Sequence, residues 1–121
     1  MTVDREMEQT LFTLILHAGN ARSKAKEAAE YASQGEWDQA KACLDEANAE
    51  QLEAHKLNVG IIRREAAGAP VPFSVLLVHA MDLLLLAWSE LDYTEQYIQV
   101  SRRLRALEAE VAEWQRRAST S

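Results

Sequence analysis

A chain of 121 residues is long enough for one hydrophobic core and too short for two, which predicts a single domain over residues 1–121. With apolar residues at 48% but only four glycines and two prolines, little punctuation is available for strands and turns, so an all-α fold is expected. The formal charge of −6 argues against nucleic acid as a partner, and the arginines near the end (Arg102, Arg103, Arg105, Arg116, Arg117) alternate with Glu108, Glu110 and Glu113 as on a solvated helix face.

The opening "MTVDREMEQT" is acidic and polar, unlike a basic export signal followed by an apolar segment, so no export is expected. From Met7 the small and apolar residues fall at Leu11, Leu14, Ala18, Ala21, Ala25, Ala28 and Ala32, in alternating steps of four and three. That spacing predicts a first helix over about residues 6–34 with a narrow seam, and Gly35 in "SQGEWD" supplies its stop. Asp38 can cap a second helix over 38–67, whose imperfect apolar stripe reads Ala40, Leu44, Ala47, Leu52, Val59, Ile62. Cys43, within it, is the single cysteine: no intrachain disulfide or cysteine metal knuckle can form, a reactive thiolate is not expected, and a reducing cytoplasm fits.

"GAPVPF" is the clearest break, since Pro70 and Pro72 each bias the preceding residue out of the helical region. Ser74 can then cap a third helix over 74–117, with Leu104, Leu107, Val111 and Trp114 continuing a stripe and 118–121 forming a frayed tail. Three helices with short connections predict an antiparallel up-down-up bundle. The third helix carries more apolar surface than such a bundle needs. Around "VLLVHAMDLLLLAW" (Val75 to Trp88) it is apolar nearly all round, yet shorter than the roughly 20 residues of a membrane span and interrupted by His79 and Asp82. Self-association through this helix is the expectation; the plainer reading is a central helix of a monomer.

His79 and Asp82, three residues apart, lie about a turn apart on one side of the helix. Asp82 can orient His79 by accepting its ring N–H; both can ligate a metal; or each can serve separately, one at a surface groove and one at an oligomer axis. His17 and His55 sit mid-helix beside polar residues, and no histidine pair has the spacing of a helical zinc site. No glycine-rich phosphate loop or nucleophile elbow is present, which leaves His79 as the attractive reactive group.

The run "LILHAGNARSKAKEAAEYASQGEWDQAKACLDEANAEQLEAHKLNVGIIRREAAG" followed by "VLLVHAMD" resembles the enzyme IIA component of the lactose/cellobiose class of the bacterial sugar phosphotransferase system, over roughly Met7 to Tyr97. The resemblance implies a cytoplasmic phosphocarrier that assembles as a homotrimer, a nine-helix bundle with the third helices around the threefold axis. It implies that His79 accepts a phosphoryl group from the histidine-containing phosphocarrier protein and passes it to a cysteine of the sugar-specific IIB component during uptake of a β-linked disaccharide. It also implies that Asp82 faces the axis and, with its two copies, holds a divalent metal, Mg2+ foremost; neither nucleic acid nor direct membrane insertion is implied. The chain departs from the family's usual "HAQDH" in reading "HAMDL": Met81 replaces an amide and Leu83 a second imidazole, both of which can assist a phosphoryl group. A trimeric binding or regulatory module that no longer transfers phosphate is therefore the alternative, and a helical oligomer with His79 and Asp82 as buried register devices is a third.

Overall fold

The computed structural model describes residues 4–120, and among these there are three helices and no strand: α1 (Arg5–Ser33), α2 (Trp37–Ala66) and α3 (Val75–Thr120). Asp4 caps α1 by accepting the Met7 N–H at 3.1 Å, and its other oxygen meets the Arg64 guanidinium at 2.6 Å, which ties the start of α1 to the end of α2. Both contacts hold the Asp4 carboxyl below the usual carboxylate range, the backbone N–H contributing most. The α1–α2 turn needs Gly35 at φ 77°, a left-handed conformation that costs an L-residue with a Cβ. Ser74 caps α3 as expected, accepting the Leu77 N–H at 3.0 Å. Asp38 does not cap α2; Glu36 occupies that position without a side-chain cap bond, and Asp38 lies in the first turn, where its charge favours the helix dipole.

Polar contacts between helices give their directions. Asp4 with Arg64, His17 with Glu50 and Lys24 with Glu46 run in opposite order along α1 and α2, so those helices are antiparallel. Arg22 with Glu90, and the Arg105 guanidinium donating to the Ser33 carbonyl, run in the same order along α1 and α3, so those are parallel. The expected up-down-up bundle follows.

The α1 seam is buried at every position expected from its spacing, from Met7 through Leu14 to Ala32. On α2 the expected stripe is only partly right. Ala40 and Ala47 are buried, but so are Gln51, Ala54 and Ile61, whereas Leu52 and Ile62 are exposed and Leu44 and Val59 half-buried. The reason is steric: opposite the alanine seam of α1, two axes lie close, and small side chains fit the line of contact better than leucines. On α3 the buried positions are Ala80, Leu84, Ala87, Leu91 and Thr94. α3 continues three residues past the expected end at 117, through Thr120; Ser121 lies outside the described residues.

Candidate functional site

His79 is the fifth residue of α3 and exposed; Ala80 beside it is fully buried and anchors that turn to the core. The α1–α3 contacts of Arg22 with Glu90 and of Arg105 with the Ser33 carbonyl put the first turns of α3 beside the first half of α1, with Glu90 and His79 on the same side of α3. The imidazole thus stands on the open side of the α1–α3 seam. A helical side chain leans toward the helix N-terminus, so that of His79 is directed over Val75 and Leu76. Those residues open the helix, and their N–H groups have no intrahelical acceptor. A group carried on the imidazole therefore lies at the positive end of the α3 dipole, on a surface open to a partner.

Asp82 is also exposed, on the face of α3 turned away from α1 and α2. At about 100° per residue, Val78, Asp82, Leu85, Leu86 and Tyr93 lie within about 60° of the line opposite the buried Ala80–Leu91 edge. Among the described residues Asp82 has no hydrogen bond or ion pair, to His79 or otherwise, so it does not orient the imidazole within one chain. Nor do three His, Cys, Asp or Glu residues of one chain converge on a point, among the described residues. Asp82 is a lone carboxylate amid exposed Leu85 (62%) and Leu86 (51%). Of the sequence readings, separate roles for the two side chains fit this arrangement.

The two departures from the family motif fall in different places. Met81, two residues after His79, projects about 200° away around the helix and packs half-buried against the core. An amide there does not reach the imidazole of its own chain. Leu83, four residues after His79, lies only about 40° away and one turn further along, so it is the direct neighbour of the imidazole and covers the core edge beside it.

The remaining candidates are structural. His17 Nδ1 meets a Glu50 oxygen at 2.6 Å and joins α1 to α2. His55 stands edge-on to Trp88, with ring centroids 5.3 Å apart. Burial raises the Cys43 pKa, and the carboxylates of Glu27 and Glu46 add to the shift, so the thiol form is favoured. Missed from the sequence is a pocket of about 200 Å³ between α2 and α3, where Gln51 donates to the Leu84 carbonyl at 3.1 Å. Its amide oxygen and the Nδ1 of His55 are buried without a protein partner among the described residues. A glutamine at a seam position of α2, three residues before Ala54, was the available signal.

These features define a class of small three-helix protein with an exposed histidine near the start of its longest helix. The comparisons make the class specific. The family model for the lactose/cellobiose-specific IIA subunit of the phosphotransferase system matches residues 9–102. The chain is 35% identical over 102 residues to the lichenan-specific phosphotransferase enzyme IIA component of Bacillus subtilis, covering 84% of this chain and 93% of that protein. It is 31% identical to the N,N'-diacetylchitobiose-specific EIIA component of Escherichia coli K12, over 87% of this chain and 90% of the other. The crystal structure of the cellobiose-specific enzyme IIA of Bacillus anthracis superposes with a TM-score of 0.82 at 37% identity, over 88% of this chain and 95% of that one. The chain belongs to the lactose/cellobiose-specific IIA family of the sugar phosphotransferase system, and its general role is that of a phosphotransferase relay component in sugar uptake. No helix among the described residues is long and apolar enough to cross a membrane.

Proposed function

We propose that His79 is the phosphorylated residue of a cytoplasmic relay, taking a phosphoryl group from the histidine-containing phosphocarrier protein and passing it to a cysteine of a sugar-specific IIB component. The observation that carries this reading is the exposed imidazole near the start of α3, anchored by buried Ala80. In the transfer, a ring nitrogen displaces the donor's nitrogen from phosphorus, and a loose transition state asks mainly for alignment and for compensation of oxygen charge. The positive end of α3 supplies compensation, and the open surface allows flat docking. In this reading the sugar carried into the cell is a β-linked disaccharide, as cellobiose and N,N'-diacetylchitobiose in the relatives' names are.

In this reading the exposed apolar face of α3 is covered by two further copies, making a homotrimer. Asp82, unpaired in its own chain and surrounded by leucines, then meets its copies at the axis, where buried carboxylates require a cation or a shared proton. Three such oxygens suit a hard divalent ion such as Mg2+, which would supply charge neutralisation and hold the axis together. One observation favours a second reading, a IIA-like module without transfer: Leu83 puts an aliphatic side chain directly beside the imidazole.

The deciding experiment incubates the protein with phosphoenolpyruvate, enzyme I and the histidine-containing phosphocarrier, and reads intact mass. An acid-labile phosphate adduct that is lost in His79→Gln supports the relay. No adduct, with the same phosphocarrier active on another IIA protein, transfers the conclusion to the module without transfer.

A further inference from the structure

The cavity of about 200 Å³ between α2 and α3 has Gln51, His55, Trp88, Asp92 and Glu95 in its lining. Trp88 is nine residues beyond His79, so it stands about 13 Å further along the helix and about 180° around it. The phosphoryl relay has no use for this place.

The polar atoms of the cavity are of one kind. Gln51 is only 5% exposed, and its amide nitrogen donates to the Leu84 carbonyl at 3.1 Å. That bond fixes which way the amide points and leaves its oxygen as the atom without a partner. His55 Nδ1 is likewise buried without a partner among the described residues, and with the ring proton on Nε2 it is a second acceptor. Buried acceptors of this sort are costly until a donor reaches them. Trp88, Asp92 and Glu95 lie within about 60° of one another on α3. Among the described residues neither carboxylate has an ion pair or hydrogen bond, and two like charges one turn apart repel, so the mouth of the cavity is negative.

Size and chemistry together select the ligand. The volume is below the roughly 300 Å³ at which small-molecule sites begin, so it admits a group the size of one side chain. A sugar hydroxyl brings acceptor lone pairs together with its donor. An ammonium brings charge as a compact, strongly hydrated point. A guanidinium brings five donors, no acceptor, and a positive charge on a flat face that stacks on an indole. No three His, Cys, Asp or Glu side chains among the described residues converge as metal ligands.

We infer that this cavity binds one guanidinium group, carried by a free alkylguanidine or by an arginine side chain of a bound protein. The plane of the group lies against Trp88, its N–H groups donate to Gln51 Oε1 and His55 Nδ1, and Asp92 and Glu95 meet its charge. Both inner acceptors are closed to solvent in this structure, so entry requires a lining ring to turn aside; Trp88, 43% exposed, is that ring.

The test is an NMR titration of the isotope-labelled full chain at fixed ionic strength, following the Trp88 indole N–H, which is identified by its loss in Trp88→Phe. The probes are ethylguanidinium for the free source and N-acetylarginine amide for the protein source, with butylammonium and cellobiose as controls. The expected result is a saturable shift with the guanidines, at least about tenfold tighter than with butylammonium and weakened at least about tenfold in the double variant Asp92→Asn, Glu95→Gln. Both carboxylates are exposed, so their replacement does not threaten the fold. Arginine amide binding at least about tenfold more tightly than ethylguanidinium assigns the site to a protein's arginine, and a smaller preference assigns it to a free guanidine. His79→Gln is expected to bind as the parent does, which keeps this inference separate from the relay. Equal affinity for butylammonium, a shift with cellobiose alone, or no shift with either guanidine overturns it; in the last case the cavity holds only water.

Discussion

Leu14 is the largest fully buried side chain among the described residues, and Leu14→Ala measures how rigid this alanine-rich core is. The antiparallel register of α1 and α2 sets Leu14 opposite Ala54, with Ala18 one turn further along α1. Each of these neighbours ends at Cβ and cannot swing in to fill a vacancy. The cost therefore belongs in the upper part of the range for such truncations, about 3–5 kcal/mol. For a chain of this size that corresponds to a fall of about 12–20 °C in Tm. The assay is thermal unfolding by circular dichroism at 222 nm and one fixed protein concentration, since association would make Tm depend on concentration. Phe12→Ala, a larger truncation at a residue 54% exposed, is the control, and in the single chain it is expected to cost about 0.5 kcal/mol or less. If Leu14→Ala shifts Tm by no more than Phe12→Ala does, the account of a core that cannot collapse is wrong.

The positions of Met81 and Leu83 predict that restoring the two family residues has unequal effects. Leu83→His, beside the imidazole, is expected to change the phosphorylation rate of His79, while Met81→Gln, about 200° away, leaves it near the parent value; timed intact-mass measurements check this, and the reverse ranking refutes the geometry. Asp82→Leu is expected to leave the helical content and melting profile of a folded protein and to abolish divalent-metal binding. Equal metal occupancy of the two proteins in native mass spectrometry would sink the axial site.

Much of the fold is legible in the residue order because helical periodicity is a local property. The alternating four-three spacing from Met7 to Ala32 named every buried residue of α1, and Ser74 and the prolines placed the start of α3. Asp38 misled because an acidic residue serves a helix N-terminus equally at the cap or in the first turn. The α2 stripe misled for a different reason: hydrophobicity ranks Leu52 and Ile62 above Gln51 and Ala54, but burial there depends on how near the α1 axis lies.

The site divides along the same line. His79 and Asp82 stand out in the sequence because polar side chains in an apolar run are costly unless they do something. That His79 and Asp82 are both exposed, with Asp82 turned away from the other two helices, and that Leu83 rather than Met81 borders the imidazole, required the packed helices. Spacing along one helix is written in its own residues. Which face of it is inside depends on where its neighbours begin and end, and that is decided only when the three helices meet.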